Sequence, residues 1–156
     1  MHRLSIAETI TQLRSKKISS CELTQHYLER IQKYEHLNSY ISSCAEKALE
    51  QAQISDQKLA NDTAGALEGV PLAIKDLFVT KGVRTTAGSK MLHNFVPPYE
   101  SSVTEKLRRA GAVFLGKTNM DEFAMGSASV TSSFGPVVNP WKASSRPNAR
   151  DRKSVV

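Results

Sequence analysis

Gly69-Val70-Pro71-Leu72-Ala73-Ile74-Lys75-Asp76-Leu77-Phe78-Val79 is the stretch whose reading decides the fold of this 156-residue chain. Residues 70–74 and, across the polar pair Lys75-Asp76, residues 77–79 form an apolar run of strand character that Gly82 closes. Downstream, Pro97-Pro98 marks a loop. Ser102-Val103-Thr104-Glu105 is a capping box that opens a helix over 103–110, and Gly111 stops it. Ala112-Val113-Phe114-Leu115 then reads as a second strand. Strand, helix, strand is a βαβ rhythm, so the expected class is α/β, with helices covering a sheet.

Upstream, residues 1–60 read as a helical segment. Ser5-Ile6-Ala7-Glu8, Ser19-Ser20-Cys21-Glu22 and Ser43-Cys44-Ala45-Glu46 are three further capping boxes. The first helix repeats apolar residues at Ile6, Ile10 and Leu13, and the second at Leu23, Tyr27, Leu28 and Ile31. A third is expected over 43–59, before Asn61-Asp62-Thr63-Ala64-Gly65 breaks the pattern as a loop. Residues 61–141 hold the α/β part. Within it 121–125 form a short helix, and 126–140, rich in Gly, Ser, Thr and Pro, form irregular backbone.

Composition narrows the function. With 40% hydrophobic, 6% aromatic and 23% charged residues, the chain is globular and is neither collagen, a coiled-coil rod nor a disulfide scaffold. No apolar run reaches membrane-spanning length, and the first residues do not lead into a signal segment, so a cytoplasmic address is expected. The net charge of +6 is concentrated at one end. Lys142, Arg146, Arg150, Arg152 and Lys153 face the single Asp151, leaving +2 on the first 141 residues. That is no nucleic-acid footprint. Cys21 and Cys44, with His2, His26, His36 and His93, show no metal-ligand spacing, so no metal is expected.

Lys75 stands out chemically. Alternation sets Leu72, Ile74, Asp76 and Phe78 on one face and Ala73, Lys75, Leu77 and Val79 on the other. Both faces are apolar around the charged pair, which suggests a strand buried on both sides, where an unpaired ammonium would be costly and a neutral lysine could serve as a base. The plainer alternative puts both charges in water at a strand end, and periodicity alone favours it. Gly111-Ala112-Val113-Phe114-Leu115-Gly116-Lys117-Thr118 fits the spacing of a phosphate loop. Its four inner residues, however, form an apolar strand that cannot wrap phosphates with its amides. Asp121-Glu122 is a possible carboxylate pair, more simply read as negative charge in a first helical turn.

The strand 69–76 with Thr80-Lys81-Gly82-Val83-Arg84-Thr85-Thr86 after it, the block 111–127, and Phe134-Gly135-Pro136 to Asn139-Pro140-Trp141 resemble the amidase signature family. The likeness covers about residues 1–141. It implies an amidase-signature fold, a mixed sheet covered by helices, truncated here and preceded by a helical segment. It implies that Lys75 is the base of a Ser–cis-Ser–Lys triad and that Met125, Gly126 and Ser127 line the acyl pocket. Leu4-Ser5-Ile6-Ala7-Glu8, Ser19-Ser20-Cys21-Glu22-Leu23-Thr24 and Asn94-Phe95-Val96-Pro97-Pro98-Tyr99-Glu100 are similar to the family members that act as glutaminases within tRNA-dependent amidotransferases. That similarity implies glutamine as ammonia source, the amidotransferase B and C subunits as partners in a heterotrimer, and misacylated Glu-tRNA(Gln) or Asp-tRNA(Asn) as acceptor. It implies no cofactor on this chain, ATP and magnesium being used by the partner protein. A stand-alone amidase of the same family and a non-catalytic helical interaction module are the alternatives.

The sequence departs from the family after Trp141. The family's Gly-Gly-Ser-Ser-Gly-Gly-Ser block, which carries both catalytic serines, does not occur, and residues 142–156 form a divergent tail without those glycines. The chain as it stands is expected not to hydrolyse amides. Asp151-Arg152-Lys153-Ser154-Val155-Val156 and a stop translate a common sequencing adapter, so at least 151–156 are read as an artefact and the natural frame is expected to continue. Amplification of the locus from source DNA checks this: the tail codons in the chromosome would refute it.

Overall fold

The computed structural model describes residues 3–141; residues 142–156, read above as a divergent tail ending in adapter sequence, lie outside the described residues. The chain divides into two compact units. The first comprises Met1–Lys33, Ser43–Ile74 and Ser102–Gly116, and the second Tyr34–Ser42, Lys75–Ser101 and Lys117–Val156.

Helices dominate the first unit: α1 (Ile6–Arg14), α2 (Ser20–Lys33), α3 (Ala45–Ala60) and α4 (Ser102–Arg109). Two of the capping boxes form as written. The Glu8 carboxylate accepts from Ser5 N at 2.7 Å while Ser5 Oγ accepts from Glu8 N at 3.3 Å. Glu22 and Ser19 repeat the exchange at 2.9 and 3.0 Å. These serine amides hold both glutamate carboxyls below the usual range. The box at Ser43 does not form. Ser43 ends a strand, β1 (Tyr40–Ser43), Cys44 makes no side-chain cap, and its amide donates to Leu115 O at 2.9 Å. Four residues are too few for periodicity to reveal, so β1 interrupts a region that reads as helical throughout.

The four boxes therefore differ in outcome. Helix α4 starts at Ser102 itself, one residue before the expected 103. In the apolar core, Leu13, Leu23, Leu59 and Val70 meet with Ile10, Ile18, Tyr27 and Leu72 around them. Ile6, expected on the same stripe, is exposed. Ala48 and Ala52 let α3 approach Val113. Asp56 of α3 caps α2, accepting from Ser20 N at 2.6 Å and Cys21 N at 3.1 Å. Burial pushes the Cys21 thiol up to about 11, with the hydrogen bond to Asp56 and the Asp56 charge adding to the effect. Gly111 ends α4 with a φ of +90°, and a β-carbon there would collide with the buried Glu68 carboxylate.

The sheet has the order β1-β3-β2, with β2 (Pro71–Lys75) beside β3 (Val113–Thr118). Val113 N donates to Val70 O and Asp76 N to Thr118 O, which makes β2 and β3 parallel. Cys44 N to Leu115 O and Asn119 N to Ser39 O make β1 antiparallel to β3. The sheet is mixed, and β2, α4 and β3 form the expected βαβ sequence. Strand β2 stops at Lys75 rather than running to Val79, because Phe78 N turns back to Lys75 O. Strand β3 runs past Leu115 through Gly116-Lys117-Thr118, so the phosphate-loop match lies in extended strand.

In the second unit regular structure is sparse. Among its described residues it has most of β1, the ends of β2 and β3, and short 3-10 turns at Glu35–Leu37, Lys90–Leu92 and Glu122–Ala124, the last where 121–125 are expected to be helical. No helix among the described residues is long and apolar enough to cross a membrane.

Candidate active site

The end of β2 corrects the reading of Lys75. Alternation holds: Ile74 and Asp76 are buried while Ala73, Lys75 and Leu77 are exposed. Burial on both faces does not hold. Neither does the alternative of two solvated charges, since Asp76 is 0% exposed.

The lysine that is buried is Lys117, 1% exposed. Its ammonium donates to Phe78 O at 2.7 Å and Thr85 Oγ1 at 2.8 Å, and stands 3.4 Å from Asp76 Oδ1. The last contact is ionic rather than an aligned hydrogen bond, since Oδ1 has no hydrogen-bond partner. The other oxygen, Oδ2, accepts from Thr86 N at 2.9 Å and from Thr86 Oγ1 at 2.5 Å. The Asp76 backbone is tied as well, its carbonyl accepting from Ala87 N at 3.2 Å. A buried charge persists only when it is paired and its donors are used, and here each charge supplies the other. The residue next to Lys75 is thus fixed through both backbone groups and its side chain.

A second polar centre lies on Asp121. Its Oδ2 accepts from Ala128 N and Ser129 N at 3.0 and 2.9 Å. Its Oδ1 accepts from Val130 N and Thr131 N at 2.7 and 2.9 Å, and from Thr131 Oγ1 at 3.0 Å. Burial works to raise this carboxyl, but the amides of Thr131, Ser129 and Val130 outweigh it and hold the group far below the usual carboxylate range. Asn119 closes the base of the loop, Oδ1 accepting from Met120 N at 2.8 Å and Ser132 Oγ at 2.6 Å. Phe123, Ala124 and Ser129 all have φ between +48° and +60°, a cost that non-glycine residues bear only where the surroundings over-determine the backbone.

Met125, Gly126 and Ser127 ride on this loop and are exposed. No hydrogen bond joins them directly to Lys75 among the described residues. The link runs through the 86–88 turn: Ala87 N binds Asp76 O, Phe123 N binds Ala87 O at 2.8 Å, and Ser133 N binds Gly88 O at 2.8 Å. Lys75 and the three loop residues therefore share one unit. Sequence reasoning missed Asp76, Lys117 and the role of Asp121, whose partners lie seven to ten residues ahead instead of in a helical turn. The small residues of Gly126-Ser127-Ala128-Ser129, able to wrap a carboxylate, were the available signal. No group of three or more His, Cys, Asp or Glu side chains among the described residues could hold a metal.

The fold and the sequence of this chain are shared with known proteins. The chain belongs to the amidase signature family, whose amidase model matches residues 22–148. A Gluconobacter oxydans protein, named as the A subunit of glutamyl-tRNA(Gln) amidotransferase, is 54% identical over 143 residues, 91% of this chain and 29% of that protein. One of the same name from Beijerinckia indica is 55% identical over 139 residues, 89% of this chain and 28% of that protein. The chain thus spans less than a third of the length of the curated relatives it matches. The native peptide amidase of Stenotrophomonas maltophilia superposes with a TM-score of 0.81 at 30% identity, over 88% of this chain and 30% of that one.

Proposed function

We propose that this chain is part of the glutaminase component of a tRNA-dependent amidotransferase. The carrying observation is 54–55% identity, over about nine-tenths of the chain, to proteins named as the A subunit of that enzyme. In this reading a nucleophilic serine gives its proton, through a bridging serine, to Lys75 and attacks the carboxamide carbon of glutamine. The C–N bond breaks, the proton leaves with the nitrogen as ammonia, and water cleaves the acyl ester to glutamate and free serine. Backbone amides of a glycine-rich loop hold the oxyanion. Met125, Gly126 and Ser127 line the acyl pocket.

The 156 residues contain no glycine-flanked serine block. The serines therefore belong to the rest of the relatives' length, and this stretch alone does not turn over glutamine. A lysine takes a proton only in its neutral form, which burial favours. Lys75 is exposed here, so the remainder of the protein covers it. The chain binds no cofactor. Ammonia passes to the B subunit, which uses ATP and magnesium to amidate Glu-tRNA(Gln) or Asp-tRNA(Asn), and the C subunit completes a cytoplasmic heterotrimer.

The test uses the protein extended to the length of its relatives, with its partner subunits. Lys75→Ala should lower glutamine hydrolysis by about 10⁴-fold or more while supplied ammonia still serves amidation. Retained glutaminase turnover would reject the assignment. The second reading, a stand-alone amidase, is favoured by the likeness to a peptide amidase. Turnover of simple amides without glutamine hydrolysis would establish it instead.

A further inference from the structure

We infer that Asp121 is the positioning residue of the substrate-facing loop, its carboxylate fixing the backbone that presents Met125, Gly126 and Ser127. The inference rests on the reading of those three residues as acyl-pocket residues and adds what holds them in place. Four consecutive amides, from Ala128 to Thr131, converge on one buried side chain. The acceptor lies before the presented residues and the donors after them, so the contact closes a ring around Met125-Gly126-Ser127. Within it Ala124 N bonds to Asp121 O at 2.9 Å and Met125 N to Glu122 O at 3.0 Å. Outside it the Asn119–Ser132 contact shuts the loop base. The result is a compact loop with its ends together and one side chain as its core, an arrangement that often carries function.

The donor set calls for a carboxylate in particular, and the packing fixes its place. Each oxygen serves two backbone donors, so an amide in its place would turn an NH₂ group towards two N–H groups and leave both without an acceptor. Gly126 packs directly on the acid, and a β-carbon there would stand 2.5 Å from Asp121 Cγ and Oδ2. Glycine at 126 and aspartate at 121 are therefore one steric unit. The loop pays for its positive φ angles through these charge-assisted bonds, and the presented residues are ordered before substrate arrives.

The experiment uses the protein extended to the length of its relatives, in complex with its partner subunits. Two quantities are read: hydrogen exchange at residues 128–131, and kinetics with glutamine and with supplied ammonia. Asp121→Asn should speed exchange at 128–131 and leave α2 amides unchanged. It should raise KM for glutamine by about tenfold or more, with ammonia-dependent turnover intact. Thr131→Val, which removes one donor and keeps the carboxylate, should raise KM by about threefold to fivefold and decides the matter if the first variant does not fold. Unchanged exchange and KM would overturn the inference, as would an equal loss of glutamine- and ammonia-dependent turnover. If wild-type protein does not hydrolyse glutamine, the proposed function fails, while exchange at the four amides still tests the role of Asp121.

Discussion

The two units of the chain are held together by different physics. The first buries Leu13, Leu23 and Leu59 from its helices against Val70, Val113 and Phe114 at the sheet strands. The second buries Asp76, Thr85, Thr86, Lys117, Asn119 and Asp121, with few apolar side chains such as Val83 and Met120 among them. Apolar burial is non-directional and tolerates exchange of one hydrocarbon for another. A buried polar network has to be completely satisfied, and in return it fixes a unique geometry. The candidate site lies in the second unit, where geometry rather than bulk stability is secured.

The largest expected effect comes from breaking the network of the second unit. In the protein extended to the length of its relatives, Lys117→Met keeps the volume but strands the buried Asp76 carboxylate. A loss of about 3–5 kcal/mol is expected by denaturant titration. Replacing both partners, Asp76→Asn with Lys117→Met, should cost less than the single change, since no unpaired charge is left. A double variant as unstable as the sum of its singles would show that the two charges are not coupled.

A cavity in the first unit should cost somewhat less and act differently. Leu13→Ala is expected to lose about 3 kcal/mol. KM for glutamine should stay unchanged, because Leu13 supports the helical core and no loop of the candidate site. A KM change in that variant would break the distinction between the units.

The last and smallest expected change is the acid dependence of the Asp121 loop, seen only below neutral pH. The folded carboxyl titrates below its ordinary value, so its stabilisation is fully present above the ordinary carboxylate pKa of about 4 and fades as pH falls below it. The stability gap between wild type and Asp121→Asn should narrow on acidification through that window. A gap that stays constant would mean that the carboxylate charge contributes nothing.

Much of the first unit was legible in the sequence because its signals are local. The boxes at Ser5 and Ser19 need only residues three apart, and both formed. The equally good box at Ser43 failed because strand pairing with β3, some seventy residues away, claimed that backbone. In the second unit, Lys75 was visible as a resemblance and as a parity, but its depth was not. The same was true of Asp121, whose four donors are gathered by a loop with no repeating pattern.

By itself the sequence determined the helix starts at Ser5 and Ser19, the stop at Gly111, the βαβ order and the face of β2 on which each side chain stands. These follow from steric and hydrogen-bond rules acting over a few residues. Only the tertiary structure decided that Lys117 is buried and Lys75 exposed, and that Asp76 and Asp121 became internal acceptors. Alternation assigns a residue to a face but says nothing of what covers that face. Burial of a charge depends on a partner brought from elsewhere in the chain, and no local pattern encodes that encounter.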